Sequence, residues 1–264
     1  MVVGAHPDDC ESAGGIALKL KDRGWRVKFL SATNGAAGHQ TMQGAALALR
    51  RQEEARRVSA LTGIEYEILD VEDGSLTTNL PDRTMMMRAI RLFCPDVIIT
   101  HRPWDYHPDH RNTSILVQDC SYLLQVPNVC PLTPPMRFPP AIFYIQDRFQ
   151  KPYPFRPDLV FDVSDKAKDK LLMYHQYTSQ MYEWLPWVDH VDPADIPSGD
   201  AERLLWLSST RFGTNDMFYA DRFRAELVQK YGDTAERATH AEALEICEYG
   251  GQPADKELSE LFPF

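Results

Sequence analysis

The sequence predicts an α/β fold: a Rossmann-like, mostly parallel sheet with helices on both faces and a C-terminal elaboration. Three observations carry this expectation. Short apolar runs alternate with stretches of helical period over residues 1–125. Those runs are continuously apolar, as strands covered on both faces are. Two His/Asp clusters, at 6–9 and 101–110, each follow such a run at once, and open parallel sheets bind ligands at the carboxyl ends of their strands.

In chain order, residues 1–5 read as a short buried strand. Residues 12–23 carry apolar positions 13, 16, 17, 18 and 20 and stop at Gly24, which reads as a helix. A second strand is expected at 27–32, a glycine-containing loop at 34–43, and a helix at 45–61 ended by Gly63. A strand at 66–69, a helix at 83–93, a strand at 96–100 ("DVIIT") and a helix at 113–124 follow. The stretch 126–140 holds six prolines and is expected to be a long loop or crossing segment. Strands are expected at 141–146 and 158–164, and helices at 166–182, around 201–208 and at 219–231. The tail from 241 reads as a short helix with an apolar end that docks on the body. The simplest division is one domain over 1–264, with 1–125 carrying the clusters and 126–264 the remaining strands, loops and helices.

Composition narrows the partners. A formal charge of −10 argues against nucleic acid or an anionic membrane, which need basic surface. No apolar run approaches the roughly 18–20 residues of a membrane span, and no leader-like segment precedes the first cluster. The five cysteines are widely spaced with no CxxC pair, so neither a thiolate zinc site nor a disulfide framework is expected. A cytoplasmic location is the default expectation, and a homo-oligomer is compatible with the apolar tail.

The clusters carry the chemistry. The first is His6-Pro7-Asp8-Asp9; the second, "HRPWDYHPDHRNTS", holds His101, Asp105, His107, Asp109 and His110. Imidazole plus carboxylate is the ligand set of Zn²⁺ or a similar divalent ion, and a catalytic site takes three protein ligands and leaves one position for water. His6, one of the two aspartates and one downstream histidine could supply them. The other aspartate is then free to take the proton of a water activated by the metal. His107 and His110 stand three apart and share a face if a helix begins there. A protonated histidine could hold the developing oxyanion, with Asp109 keeping it charged. Alone, the first motif could be a turn in which Asp9 caps the next helix.

Taken together, strand–AHPDD–x4–GG and a later HPDH resemble the LmbE-like, or PIG-L, family of zinc-dependent N-deacetylases, which act on N-acetylglucosamine-type groups. "LSATNGAAG", "RQEEARRVSALTG", "DVEDGSL" and "LLMYHQYTSQ" resemble further stretches of that family. The resemblance implies that His6, Asp9 and His110 bind zinc, with Fe²⁺, Co²⁺ or Mn²⁺ as other occupants. It implies Asp8 as general base, His107 as the residue stabilising the tetrahedral intermediate, Asp109 as its partner, and Arg51 as a substrate contact. It further implies an acetamido-sugar, or a conjugate of one, as the small-molecule substrate. For Arg51 the rival reading is a salt bridge to Glu54. His101 and Asp105 are weighed between a functional role and a structural hydrogen bond. His39, His175 and His190 read as ordinary surface or core histidines, and Trp184 and Trp187 as core aromatics that could also stack on a sugar. The rival functions are an amidase of a different conjugate at the same site and a non-catalytic metal- or carbohydrate-binding protein.

Overall fold

The computed structural model describes residues 1–264, Asp255 by its backbone alone. Seven strands form one sheet: β1 Val2–Gly4, β2 Lys28–Ser31, β3 Glu65–Ile68, β4 Val97–Thr100, β5 Ala141–Ile145, β6 Leu159–Asp162 and β7 Ala241–Gly250, in the order β3-β2-β1-β4-β5-β7-β6. The pairings β1–β2, β2–β3, β1–β4 and β4–β5 are parallel, whereas β7 runs antiparallel to both its neighbours. The chain builds outward from β1 to β3, then returns to lay β4 on the other side of β1. That reversal is the topological switch point. Both His/Asp clusters leave the sheet there.

The helices are α1 Gly14–Asp22, α2 Gly44–Thr62, α3 Leu80–Phe93, α4 Pro108–Leu123, α5 Ala167–His175, α6 Leu185–Val188, α7 Asp200–Ser209, α8 Arg211–Arg222, α9 Arg224–Tyr231 and α10 Asp255–Leu261. Consecutive strand residues face opposite sides, and two core clusters show it. Val2, Phe29, Ile99 and Phe143 join Ile16 and Val58 of α1 and α2 on one face. Val3, Leu30, Ile98 and Ile142 join Met86, Ile90 and Leu116 of α3 and α4 on the other. Helix starts follow local chemistry: Asn79 caps α3 by accepting the Asp82 N–H at 2.8 Å. Pro108 occupies the first turn of α4, where its missing N–H costs nothing. No helix of the described residues is long and apolar enough to cross a membrane.

The structure corrects the sequence reading at four places. α4 begins at Pro108, not at 113. The expected helix 166–182 stops at His175, because Thr178 and Ser179 give their hydroxyl and amide donors to Glu54 instead. The expected helix 219–231 is two helices meeting at Phe223, the first starting at Arg211. The tail does end in a short helix, α10, but "AEALEICEYG" before it is the longest strand. Its Ala, Leu and Glu residues favour helix; tertiary context overrides that weak preference.

β7 also explains the glycine pair that follows the first cluster. Glu242 is fully buried and accepts the N–H groups of Gly15 (2.7 Å) and Ile16 (2.8 Å) at the start of α1, where the helix dipole favours an anion. A Cβ on Gly15 would stand 2.7 Å from Val163 Cβ and 2.9 Å from Glu242 Oε1, so only glycine admits this approach. Lys170 completes the cluster, 2.7 Å from both Glu242 and Asp216. Burial opposes its charge, but the two carboxylates outweigh burial and hold it protonated. Glu242→Ala leaves a buried ammonium short of one partner and two helix N–H groups unpaired. The expected cost is about 3–5 kcal/mol, a fall in melting temperature on the order of 10 °C. Thermal denaturation checks this; an unchanged transition would show that Asp216 alone suffices.

Candidate metal centre

The first cluster folds back on its own strand. Asp9 Oδ2 accepts the backbone N–H groups of Ala5 (3.0 Å) and His6 (2.7 Å). This brings Asp9 against Gly4, where an added Cβ would lie 2.7 Å from Asp9 Cβ. The loop therefore requires a glycine two residues before the histidine. The loop after β4 delivers His101, Asp105 and His107, and the first turn of α4 delivers Asp109 and His110.

Three ligand atoms converge. His6 Nδ1 is 3.3 Å from Asp9 Oδ2, His110 Nε2 is 3.4 Å from the same oxygen, and the two ring nitrogens are 3.3 Å apart. Bonds of about 2.0–2.1 Å at a tetrahedral centre imply edges of about 3.3–3.4 Å. The outward nitrogens face carboxylates. His6 Nε2 lies 3.2 Å from Asp73 Oδ1 and 3.4 Å from Asp109 Oδ2, and His110 Nδ1 lies 3.1 Å from Asp105 Oδ1. Carboxylates there keep the proton on the outward nitrogen and leave the inward lone pair free. Burial opposes charge on His6 and His110, but the surrounding carboxylates outweigh it and raise both. Asp9 moves the other way: burial would raise it, yet His110, His101 and His6 hold it well below the usual range.

Other trios of this cluster also bring donor atoms within 4.8 Å of one another, among them Asp9–His101–His110, His6–His107–His110 and His6–Asp73–Asp109. Their lone pairs are engaged elsewhere. His101 Nε2 accepts the Ala5 N–H at 3.1 Å, and its ring stacks on His110 at 4.2 Å. His107 Nδ1 accepts the Asp109 N–H at 3.2 Å. In the trio His6–Asp9–His110 both ring nitrogens face inward and accept no N–H, and Asp9 Oδ2 faces both while also accepting two backbone N–H groups; its residues suit Zn²⁺ or a similar ion.

Asp8 stands outside the trio. Its Oδ1 accepts from Arg51 Nη2 at 2.9 Å. Burial pushes its carboxyl up to about 7, with the Arg51 guanidinium opposing. Arg51 is 1% exposed. It also donates to the Pro7 carbonyl and lies 3.4 Å from Glu54, so the Arg–Glu bridge weighed from sequence forms alongside a contact to Asp8.

The expected Asp109–His107 partnership needs correction. The Asp109 carboxylate accepts the Gly74 N–H at 2.7 Å and faces His6; only its backbone reaches His107. Burial, then the charges on His6 and His110, lower His107 below the usual imidazole value rather than raising it. With Nδ1 accepting an N–H, neutral His107 carries its proton on Nε2. It is a donor without being a cation.

His6, Asp8, Asp9, Arg51, Asp73, His107 and His110 border one cleft of about 690 Å³, whose wall continues through Gly38, Tyr106, Gln180, Trp184 and Phe212. Trp184 lines it and stacks on Trp187 at 5.3 Å, and a π-helical turn at Gln180–Trp184 sets the wall. His39 pairs with Glu183 (2.8 Å), His175 bridges Tyr182 and Asp200, and His190 is exposed. Asp73 was missed as a partner of His6; its position before Gly74, just past β3, was the available signal. Asp105 holds both His110 and, at 2.9 Å, the His107 N–H. Asp105→Asn is expected to weaken metal binding about 10–100-fold, measured by competition with a chromophoric chelator. Wild-type affinity would remove the orienting role.

The family described as PIG-L, GlcNAc-PI de-N-acetylase, matches residues 1–121. A diacetylchitobiose deacetylase from Thermococcus kodakarensis is 30% identical over 196 residues, covering 69% of this chain and 70% of the relative. Among solved structures, the N,N'-diacetylchitobiose deacetylase from Pyrococcus horikoshii superposes with a TM-score of 0.69 at 22% identity, over 93% of this chain and 82% of that one. The 4-carboxy-2-hydroxymuconate hydratase from Pseudomonas putida gives 0.72 at 18%, over 96% and 97%. The two structural likenesses establish the fold; the sequence relative, sharing identity across most of both chains, establishes that this chain belongs to the PIG-L family.

Proposed function

We propose that the protein is a metal-dependent N-deacetylase that removes the acetyl group from an N-acetylglucosamine-type substrate. The observation that carries this reading is the triangle of His6 Nδ1, Asp9 Oδ2 and His110 Nε2, with edges of 3.3, 3.3 and 3.4 Å. Its size and donor set fit Zn²⁺. A bound ion supplies Lewis-acid chemistry, acidifying water and polarising a carbonyl.

The chain's own groups do the rest. Asp8, with a carboxyl near neutrality, takes a proton from water at its carboxylate and returns one to the leaving amine. His107 Nε2–H, on the cleft wall, donates to the carbonyl oxygen as negative charge develops. Asp73, Asp105 and Asp109 orient the imidazoles. Trp184 and Tyr106 offer aromatic faces to a sugar ring. The similarity to a diacetylchitobiose deacetylase supports the acetamido-sugar over other amides.

The test is acetate release from N-acetylglucosamine, diacetylchitobiose and longer oligomers by the zinc-loaded protein, with and without chelator. Acetate and free amine in equal amounts, abolished by chelator and restored by metal, are expected. No acetate from any of them, or turnover indifferent to chelator, would overturn the reading.

A further inference from the structure

Asp8 sits in a backbone conformation that residues with a side chain rarely adopt, φ 121°. Such a residue persists only where its surroundings over-determine it. Two groups from distant parts of the chain meet it. Its N–H donates to the Tyr66 hydroxyl at 3.2 Å. Its carboxylate accepts from Arg51 Nη2, which also donates to the carbonyl of Pro7, the residue before it. The strained unit is thus gripped on both sides of the Pro7–Asp8 peptide and at its side chain.

Each grip is anchored in the core. Arg51 is backed by fully buried Glu54. Glu54 in turn accepts Ser179 N (2.7 Å), Ser179 Oγ (2.6 Å) and Thr178 Oγ1 (3.0 Å). On the other side, the Tyr66 hydroxyl neighbours that of Tyr177. Tyr177 gives its own proton to fully buried Glu11 at 2.6 Å. Asp8, Tyr66, Tyr177 and Glu11 thus neighbour one another in turn.

We infer that Tyr66 and Arg51 form a clamp, anchored on Glu11 through Tyr177 and on Ser179 through Glu54, that holds Asp8 in its strained backbone and fixes where its carboxylate stands. These are positioning residues: they act through Asp8. The catalytic consequence rests on Asp8 being the general base; the conformational one does not.

Tyr66→Phe removes one hydroxyl and keeps the ring that packs edge-on against Phe29. In the zinc-loaded protein, kcat for acetate release is expected to fall about tenfold, the effect of a misplaced reacting group. KM should stay within about twofold and zinc content should be unchanged, since no metal or substrate contact is touched. A crystal structure of the variant should show Asp8 relaxed to negative φ. Ser179→Ala, which reaches Asp8 through Glu54 and Arg51 and also frees a 3.3 Å contact from Gln180, should give the same fall in kcat and the same change in φ more weakly, and it tests the clamp if Tyr66→Phe does not fold. Wild-type kcat with φ unchanged, or a lower kcat with φ unchanged, overturns the clamp. If the wild-type protein itself releases no acetate, the deacetylase reading fails, and the φ of Asp8 in the variants still decides the clamp.

Discussion

Asp8→Asn is expected to lower kcat by about 10²–10⁴-fold, the contribution of a positioned general base, while the protein keeps its fold and its metal. The substitution isolates proton transfer. An amide oxygen can still accept from Arg51 Nη2, now 2.9 Å from Asp8 Oδ1, so the side chain stays where it is. Asp8 is absent from the trio of inward-facing donors, so nothing in that triangle changes. What the amide lacks is the ability to accept a proton and return it. Burial already disfavours the charge on Asp8, so neutralising it should not unfold the protein. Steady-state acetate release and metal content on one preparation decide the matter. Turnover at the wild-type rate would remove Asp8 from the chemistry; loss of metal would mean that it belongs to the ligand set.

His110→Ala is expected to have the larger effect on metal. It deletes one corner of the triangle and leaves His6 Nδ1 and Asp9 Oδ2, one edge of 3.3 Å. Affinity should fall by well over the 10–100-fold expected for an orienting partner, and acetate release should fall with it. The side chain is also the partner of Asp105 and the platform under His101, so some local loosening accompanies the loss. Circular dichroism and melting temperature separate that from unfolding, because α4 enters the core cluster through Leu116 and Val117 rather than through its first turn, where His110 stands. Stoichiometric metal in a folded His110→Ala protein would contradict its place in the ligand set.

Much of this was legible in the sequence, for physical reasons. Strands such as Val97–Thr100 are buried on both faces and so are apolar but for Thr100, whose hydroxyl bonds the Val3 carbonyl, and the candidate metal motif is local, with His6 and Asp9 three residues apart. What was illegible depends on distant partners. Glu242 belongs to a strand because β5 and β6 flank it, not because its neighbours favour extension. The helix α5 breaks after His175 and the next one starts at Ser179, whose N–H goes to Glu54, 125 residues away. Asp109 turns to Gly74 and His6 rather than to His107, and nothing in HPDH distinguishes these choices. Tyr66 carries no local mark; only the pairing of β3 beside β2 brings its hydroxyl under Asp8.

The antiparallel strand has a consequence for the order in which the protein comes into being. The helix that carries the HPDD loop is seated by a carboxylate 227 residues further along. A nascent chain halted before Glu242 would already contain every donor of the triangle, yet lack the group that docks the first helix. The first helix can therefore be seated only after residue 242 has been made, long after the last donor of the triangle, His110, has emerged.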